Sequence, residues 1–431
     1  MQRNVATFLL GDQYKEIKQK MLNWANQFSI FLLLDSNNYD LNHSEYEYLL
    51  AVHTTTQPPV IIAENSLLAL QELHNTHKDW MFGHICYDYK SLLEQRLNSN
   101  HLANHSFPLL YFFVPSIVCY IKKGETTLHI ESLEDTPKQI FEAILANDTQ
   151  TNASIPSLDF TQRINKEVYL ERISKLRTHI ADGDCYEINL CNEGYCEHAT
   201  VDPKAIFEAL NTLSPAPFAA FYRHYNNYMM CSSPERYLRK KGNTILSQPI
   251  KGTAKRNAND EKDEEIKTVL KNDIKERAEN VMIVDLTRND IARSCETGSV
   301  TVEELFGIYT FPQVHQMIST ISGQLKKGTP FTDAIRYSFP MGSMTGAPKI
   351  KVMELIEQYE ASMRELFSGT VGYITPGGDF DFNVIIRSLF YNANTRYLSY
   401  QTGGAITYDS DPEKEWEEMR LKAWALERIF Q

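Results

Sequence analysis

The sequence predicts an α+β fold. Three observations carry that prediction: amphipathic helical stretches, strand pairs closed by turn residues, and an irregular order of the two along the chain. Of the 431 residues, 42% are hydrophobic and 23% charged, ordinary globular proportions with ample material for a core.

Taken in order, "SIFLLLDS" (Ser29–Ser36) predicts a strand. "PLLYFFVPSIVCYIKKGETTLHIES" holds two apolar runs with turn chemistry at Lys123-Gly124. "ANDTQTNASIPSLDF" (Ala146–Phe160) is polar and aperiodic, and reads as a linker or long surface loop. It divides the chain into an N-terminal region, 1–150, and a C-terminal domain, 160–431. Val168, Ile173, Leu176 and Ile180 recur at helical spacing, and Gly183 stops that helix. Asp260–Asp290 carries Ile266, Leu270, Ile274, Ala278, Val281 and Ile283 or Val284 on one stripe, which predicts a single long helix. "SGTVGYITPGGDFDFNVIIRSLFY" predicts strand, Pro-Gly-Gly turn and strand, and "TRYLSYQTGGAITYD" a further strand ending at Gly403-Gly404. A final helix starts at Asp411 as N-cap, with Pro412 in its first turn.

Composition excludes several classes. No segment approaches the ~18 apolar residues needed to span a membrane, and the N-terminus lacks the apolar run of a secretory signal, so a cytoplasmic protein is expected. Seven scattered cysteines without C-x-x-C fit free thiols in a reducing compartment. A net charge of −12 argues against nucleic acid. An anionic substrate would need a local basic patch, backbone N–H groups or a metal cation.

Several constellations could carry chemistry. Glu415 and Glu418 share one face of the final helix, with Lys422 one turn beyond. They form either a solvated Glu–Lys face or a Mg²⁺ site, since that ion takes carboxylate oxygens, waters and an anionic substrate group. Glu279 is a candidate third carboxylate. Glu235 in "SPERYL" is either a surface ion pair or a general acid. A hairpin turning at Lys240–Asn243 would bring Lys251 beside it, as a nucleophile whose amine must be neutral to react. Arg387, in the apolar "NVIIRSL", should be a buried strand arginine that meets an internal acid or a substrate carboxylate. Gly403-Gly404 lets backbone N–H groups approach an anion, or makes a bulge. Two patterns are discarded. "GSMTGAPK" lacks phosphate-loop spacing, and Pro348 suggests a helix start there instead. His101 and His105 have metal-ligand spacing without a third ligand.

Together the run "SPERYL … QPIKGTAKR … ENVMIVDLTRNDIAR … SMTGAPK … GTVGYI … GDFDFNVIIRS … TGGAITYDSDPEKEWEEMRLKA" resembles the chorismate-utilising enzymes over residues 160–431, with the N-terminal third resembling them more loosely. The resemblance implies antiparallel sheets packed as a sandwich with flanking helices. Pro249-Ile250-Lys251-Gly252-Thr253 resembles the aminodeoxychorismate-forming branch, where the anthranilate-forming branch has P-I-A-G-T. It implies that Lys251 attacks ring C2 of chorismate while Glu235 protonates the departing C4 hydroxyl, and that ammonia then enters at C4 and displaces Lys251. Two easier displacements replace one difficult substitution. It further implies Mg²⁺ on Glu279, Glu415 and Glu418. Gly252, Thr253, His315, Phe367, Arg387, Gly403, Gly404, Ala405 and Lys422 would contact substrate.

Some positions depart from the family pattern. Glu187 stands where the amino-transferring branches usually carry Gln, and isochorismate and salicylate synthases a water-activating Lys. Lys255-Arg256 replace part of the commoner G-T-R-P-R. Gln316 follows His315 where anthranilate synthases have a His. "LLLDS" only loosely echoes the L-L-E-S of tryptophan-inhibited relatives. No glutaminase signature is present, so ammonia is expected from a separate glutaminase subunit. The competing readings are an anthranilate synthase component I, against which Lys251 argues, and a non-catalytic paralogue, against which the intact Glu235, Lys251, Glu279, Arg387 and Glu418 argue.

Overall fold

The strand Ile30–Asp35 shows how the architecture arises. Its residues are apolar on both faces, so it belongs inside a sheet covered on both sides. Ile30 and Leu32 pack into a core that also contains Phe82, Ile85, Leu110 and Phe112, from strands of a second sheet. Phe31 and Leu33 point the other way, against Met21, Ile206, Phe207, Ala423 and Leu426 of helices. The structure is a computed structural model, and it describes residues 2–54, 62–64, 66–149, 154–311 and 314–431.

The expected sandwich is what forms. Among the described residues, one sheet has 12 strands and the other 10, and their strands pair antiparallel. The buried His84 of the smaller sheet hydrogen-bonds the Tyr222 hydroxyl of the larger at 3.1 Å. Strands from before residue 150 and after residue 160 share both sheets: Ile30–Asp35 pairs with Phe218–His224, and Met81–Ile85 with Thr370–Ile374. A third apolar cluster packs the helices Lys166–Ala181 and Lys349–Tyr359, and Met419 of the helix Pro412–Arg428, onto the strand Glu187–Cys196. The seven cysteines are free. Within the expected linker, residues 150–153 lie outside the described ones.

Most predicted boundaries are recovered. Gly183 ends the helix Lys166–Ala181 with φ +85°, and Asp411 caps Pro412–Arg428 through the N–H groups of Glu413 and Lys414. Four expectations are corrected. The long helix is two, Asp260–Asn272 and Ile274–Ala292, because Asp273 turns extended and caps the second through the Glu276 N–H. Ile274, expected on the buried stripe, is 86% exposed. Arg387 lies outside any strand, at φ +51° between Phe380–Asn383 and Ser388–Asn392. Gly403-Gly404 lies inside the strand Tyr397–Ile406, short of its end.

Candidate active site

The hairpin Arg236–Lys241/Thr244–Gln248 forms as expected, turning at Gly242 with φ +58°. It leaves Glu235 at its entry, and the chain then continues into the strand Ile250–Lys255, where Lys251 is the second residue. Glu235 is buried, and the Lys251 side chain keeps 10% of its exposure. The Lys251 Nζ donates to Glu187 Oε1 at 2.7 Å. Burial opposes its charge, but Glu187, Glu279 and Glu235 outweigh it and hold the amine above the usual lysine value. The pocket alone therefore does not supply the neutral amine that a nucleophile needs, contrary to the sequence expectation.

Burial does the opposite for Glu235. It lifts the carboxyl from the ordinary range to about 7, against the Ser343 hydroxyl, Lys251, the Ile250 N–H and Arg387, which favour the anion. The Ser343 Oγ donates to Glu235 Oε1 at 2.6 Å. A carboxyl poised near neutrality can hold a proton and give it up. Ser343 lies in "GSMTGAPK", the loop set aside as a phosphate-binding decoy. That loop seats the pocket's acids instead. Ala347 and Gly346 pair with Glu187 and Ile188, and a Cβ on Gly346, at φ +133°, would stand 2.1 Å from the Glu187 carbonyl oxygen. Ser343→Ala should remove a bond to the charged form of Glu235 and move its titration upward by about one unit. The alkaline limb of kcat/KM for chorismate, measured at constant NH₃, should shift up with it. An unmoved limb would show that Ser343 does not tune Glu235.

The four-carboxylate cluster is larger than the sequence suggested. Glu276 and Glu279 come from one helix, and Glu415 and Glu418 from another. Glu276 was missed, although its i,i+3 spacing to Glu279 repeats that of Glu415 and Glu418. Burial pushes Glu279 up to about 7 and raises Glu276 and Glu415 as well, whereas Lys422 at 2.7 Å lowers Glu418. Glu279 Oε1 is buried without a hydrogen bond. Burial likewise opposes the charge of Lys275, but Glu279, Glu415, Glu276 and Glu418 hold it above its usual value. A lysine ammonium thus sits in the field of four acids. No group of three acids, histidines or cysteines is gathered tightly enough to enclose a metal among the described residues. The donor set nevertheless suits a hard cation: all are carboxylate oxygens, Glu279 Oε1 has no hydrogen bond among the described residues and faces the Lys275 ammonium at 3.6 Å, and three of the four acids are lifted by burial.

Arg387, the Gly403–Ala405 backbone and Lys422 are the groups expected to meet an anion. The Arg387 guanidinium makes no hydrogen bond or ion pair with a described residue, and burial pulls it below the usual arginine value despite Glu235 and Tyr39. Along Tyr397–Ile406, the neighbouring strand Ser388–Asn392 pairs only as far as Tyr400, so one edge of Gly403, Gly404 and Ala405 has no strand partner among the described residues. Gly404 lets this backbone approach the acids, since a Cβ there would lie 3.0 Å from Glu415 Oε2. Lys422 donates to the Gly403 carbonyl and pairs with Glu418. Gly252 has φ +95°, and a Cβ would meet Glu276 Oε2 at 3.1 Å. Thr253 is exposed beside it.

Two expected substrate contacts are placed otherwise. His315 is fully buried, with its ring nitrogens on Asp263 at 2.9 Å and Thr310 at 3.1 Å. Arg256 binds the same Asp263, so the basic residue of "GTAKR" anchors the helix Asp260–Asn272. Phe367 is 2% exposed and packs in the inter-sheet core. His101 bonds the Glu357 carbonyl and His105 the Ser399 hydroxyl, so the discarded pair is structural.

Residues 33–428 match the family described as chorismate binding enzyme. The Arabidopsis thaliana protein named aminodeoxychorismate synthase, chloroplastic, is 35% identical over 369 residues, which cover 80% of this chain and 40% of that protein. The Bacillus subtilis protein named aminodeoxychorismate synthase component 1 is 30% identical over 362 residues, covering 81% of this chain and 76% of that protein. The chain thus spans less than half of the plant relative and about three quarters of the bacterial one. Its fold is similar to that of anthranilate synthase component I from Streptococcus pneumoniae, with a TM-score of 0.78 at 24% identity over 91% of this chain and 94% of that one. With the match covering nearly its whole length, the chain belongs to the chorismate binding enzyme family.

Proposed function

We propose that this chain converts chorismate and ammonia to 4-amino-4-deoxychorismate, a step toward para-aminobenzoate, with Lys251 as nucleophile and Glu235 as acid. The observation that carries the reading is Lys251 itself: an amine largely withdrawn from solvent among Glu187, Glu235 and Glu279, where Glu235 holds a proton near neutrality. Lys251 forms the bond to ring C2. Glu235 delivers its proton to the C4 hydroxyl, which leaves as water. Ammonia then bonds to C4, Lys251 departs, and Glu235 recovers a proton from the new ammonium. Arg387 and the free edge at Gly403–Ala405 suit the substrate carboxylates. Glu276, Glu279, Glu415 and Glu418 would hold Mg²⁺, which when bound supplies positive charge against a ring carboxylate. An acidic protein would thereby accept a dianion.

The relative from Bacillus subtilis carries the name component 1, and we propose that a separate glutaminase supplies ammonia here as well. No helix of the described residues is long and apolar enough to cross a membrane, and we place the activity in the cytosol. The pure chain with chorismate, Mg²⁺ and an ammonium salt should make 4-amino-4-deoxychorismate, faster as the NH₃ concentration is raised at a fixed pH. It should not use glutamine. Chromatography distinguishes the outcomes: fluorescent anthranilate, no product, or turnover with glutamine alone would each refute part of this reading.

A further inference from the structure

An ammonium has no lone pair, so Lys251 must lose a proton before it can form a bond. The acids that face it are Glu187 from the strand Glu187–Cys196, Glu279 from the helix Ile274–Ala292, and Glu235 at the mouth of the hairpin. Glu235 is engaged by the Ser343 hydroxyl and serves the leaving group. Glu279 lies in the field of Lys275 and the carboxylate cluster. Glu187 alone among them is in hydrogen-bond contact, at 2.7 Å. It is 0% exposed, and its second oxygen, Oε2, is buried with no hydrogen-bond partner among the described residues.

We propose that Glu187 is the catalytic base that takes the Lys251 proton as the amine attacks and returns it as the amine leaves. The proposal rests on the reading of Lys251 as nucleophile. The proton passes from Nζ to Glu187 Oε1, and the freed lone pair forms the bond to ring C2. The ring double bonds shift, the C4–O bond breaks, and the hydroxyl leaves with the Glu235 proton. Lys251 is then a secondary ammonium. When ammonia bonds to C4 the double bonds shift back, the C2–N bond breaks, and its electron pair returns to Nζ. Glu187 gives back its proton, and Glu235 takes one from the new C4 ammonium. Atoms and charge balance as chorismate plus ammonia giving product plus water. Two features suit Glu187 to this. Protonation sacrifices no other bond, since Oε2 has none. The exchange also turns two buried charges into a neutral pair once substrate excludes water, which removes a desolvation cost.

The test is the pH dependence of adduct formation. With chorismate and Mg²⁺ but no ammonia, quenched samples between pH 6 and 9 are read by intact-protein mass spectrometry for wild type and the near-isosteric Glu187→Gln. Transfer within the wild-type pair exchanges no proton with solvent. In Glu187→Gln the proton must go to solvent, so the ratio of variant to wild-type rate should rise about tenfold per pH unit. Taking the ratio cancels the titration of Glu235. Glu187→Asp keeps a carboxylate and its ratio should stay flat, and this variant carries the test if Glu187→Gln does not fold. A flat ratio for Glu187→Gln, or a rising one for Glu187→Asp, overturns the role of Glu187 alone. Absence of any wild-type adduct overturns Lys251 as nucleophile and this proposal with it.

Discussion

Replacing Lys251 by arginine should lower the rate of chorismate amination by about a thousandfold or more, the scale of losing a covalent nucleophile. Arginine stays charged at any working pH and cannot form the bond to C2. It does keep a cation against Glu187, so the buried carboxylate remains paired and thermal unfolding should change little. Lys251→Ala is the harsher substitution for the fold. It strands a carboxylate that is 0% exposed, at a cost of about 3–5 kcal/mol. Comparing melting temperatures with steady-state rates separates the two effects. An arginine variant that retains amination would mean that Lys251 contributes only positive charge.

Removal of divalent cation should have an effect of similar size. Chelation should abolish turnover, and Mg²⁺ should restore it. The reason is electrostatic: burial makes the charged forms of Glu276, Glu279 and Glu415 costly, and a dianionic substrate beside them would add to that cost unless a cation is present. Glu279→Gln and Glu418→Gln should each weaken Mg²⁺-dependent chorismate binding about tenfold or more, as followed by calorimetry with and without metal. The helices should hold, because these acids are not paired across the core. Full activity in excess chelator would exclude a metal from the account.

Much of this was legible in the sequence, and the limits are physical. Periodicity and capping located the helix Lys166–Ala181 and the helix after Asp411, because burial of one stripe and a side-chain cap are local events. The Glu415 and Glu418 pair was legible for the same reason. Glu276 was equally legible by spacing and was passed over. Asp273 broke the long helix by a local choice between continuing a turn and capping the next one, and an apolar stripe does not record that choice. His315 and Phe367 could not be placed from sequence, since Asp263, 52 residues before His315, ties up its ring and the inter-sheet core absorbs Phe367. The role of "GSMTGAPK" was hidden likewise. Its serine meets Glu235 across 108 residues of chain. The protonation of Lys251 depends on three acids brought from separate elements, so no motif could report it.

A covalent bond from Lys251 to the substrate ring should leave a species that can be trapped. Wild-type protein incubated with chorismate and Mg²⁺, without ammonia, should accumulate an adduct that peptide mass spectrometry assigns to Lys251. Adding an ammonium salt should discharge it as 4-amino-4-deoxychorismate. Lys251→Arg should show no adduct. If wild type never carries an adduct, and Lys251→Ala makes 4-amino-4-deoxychorismate at the wild-type rate, the lysine is only a charged wall of the pocket and the covalent account is wrong.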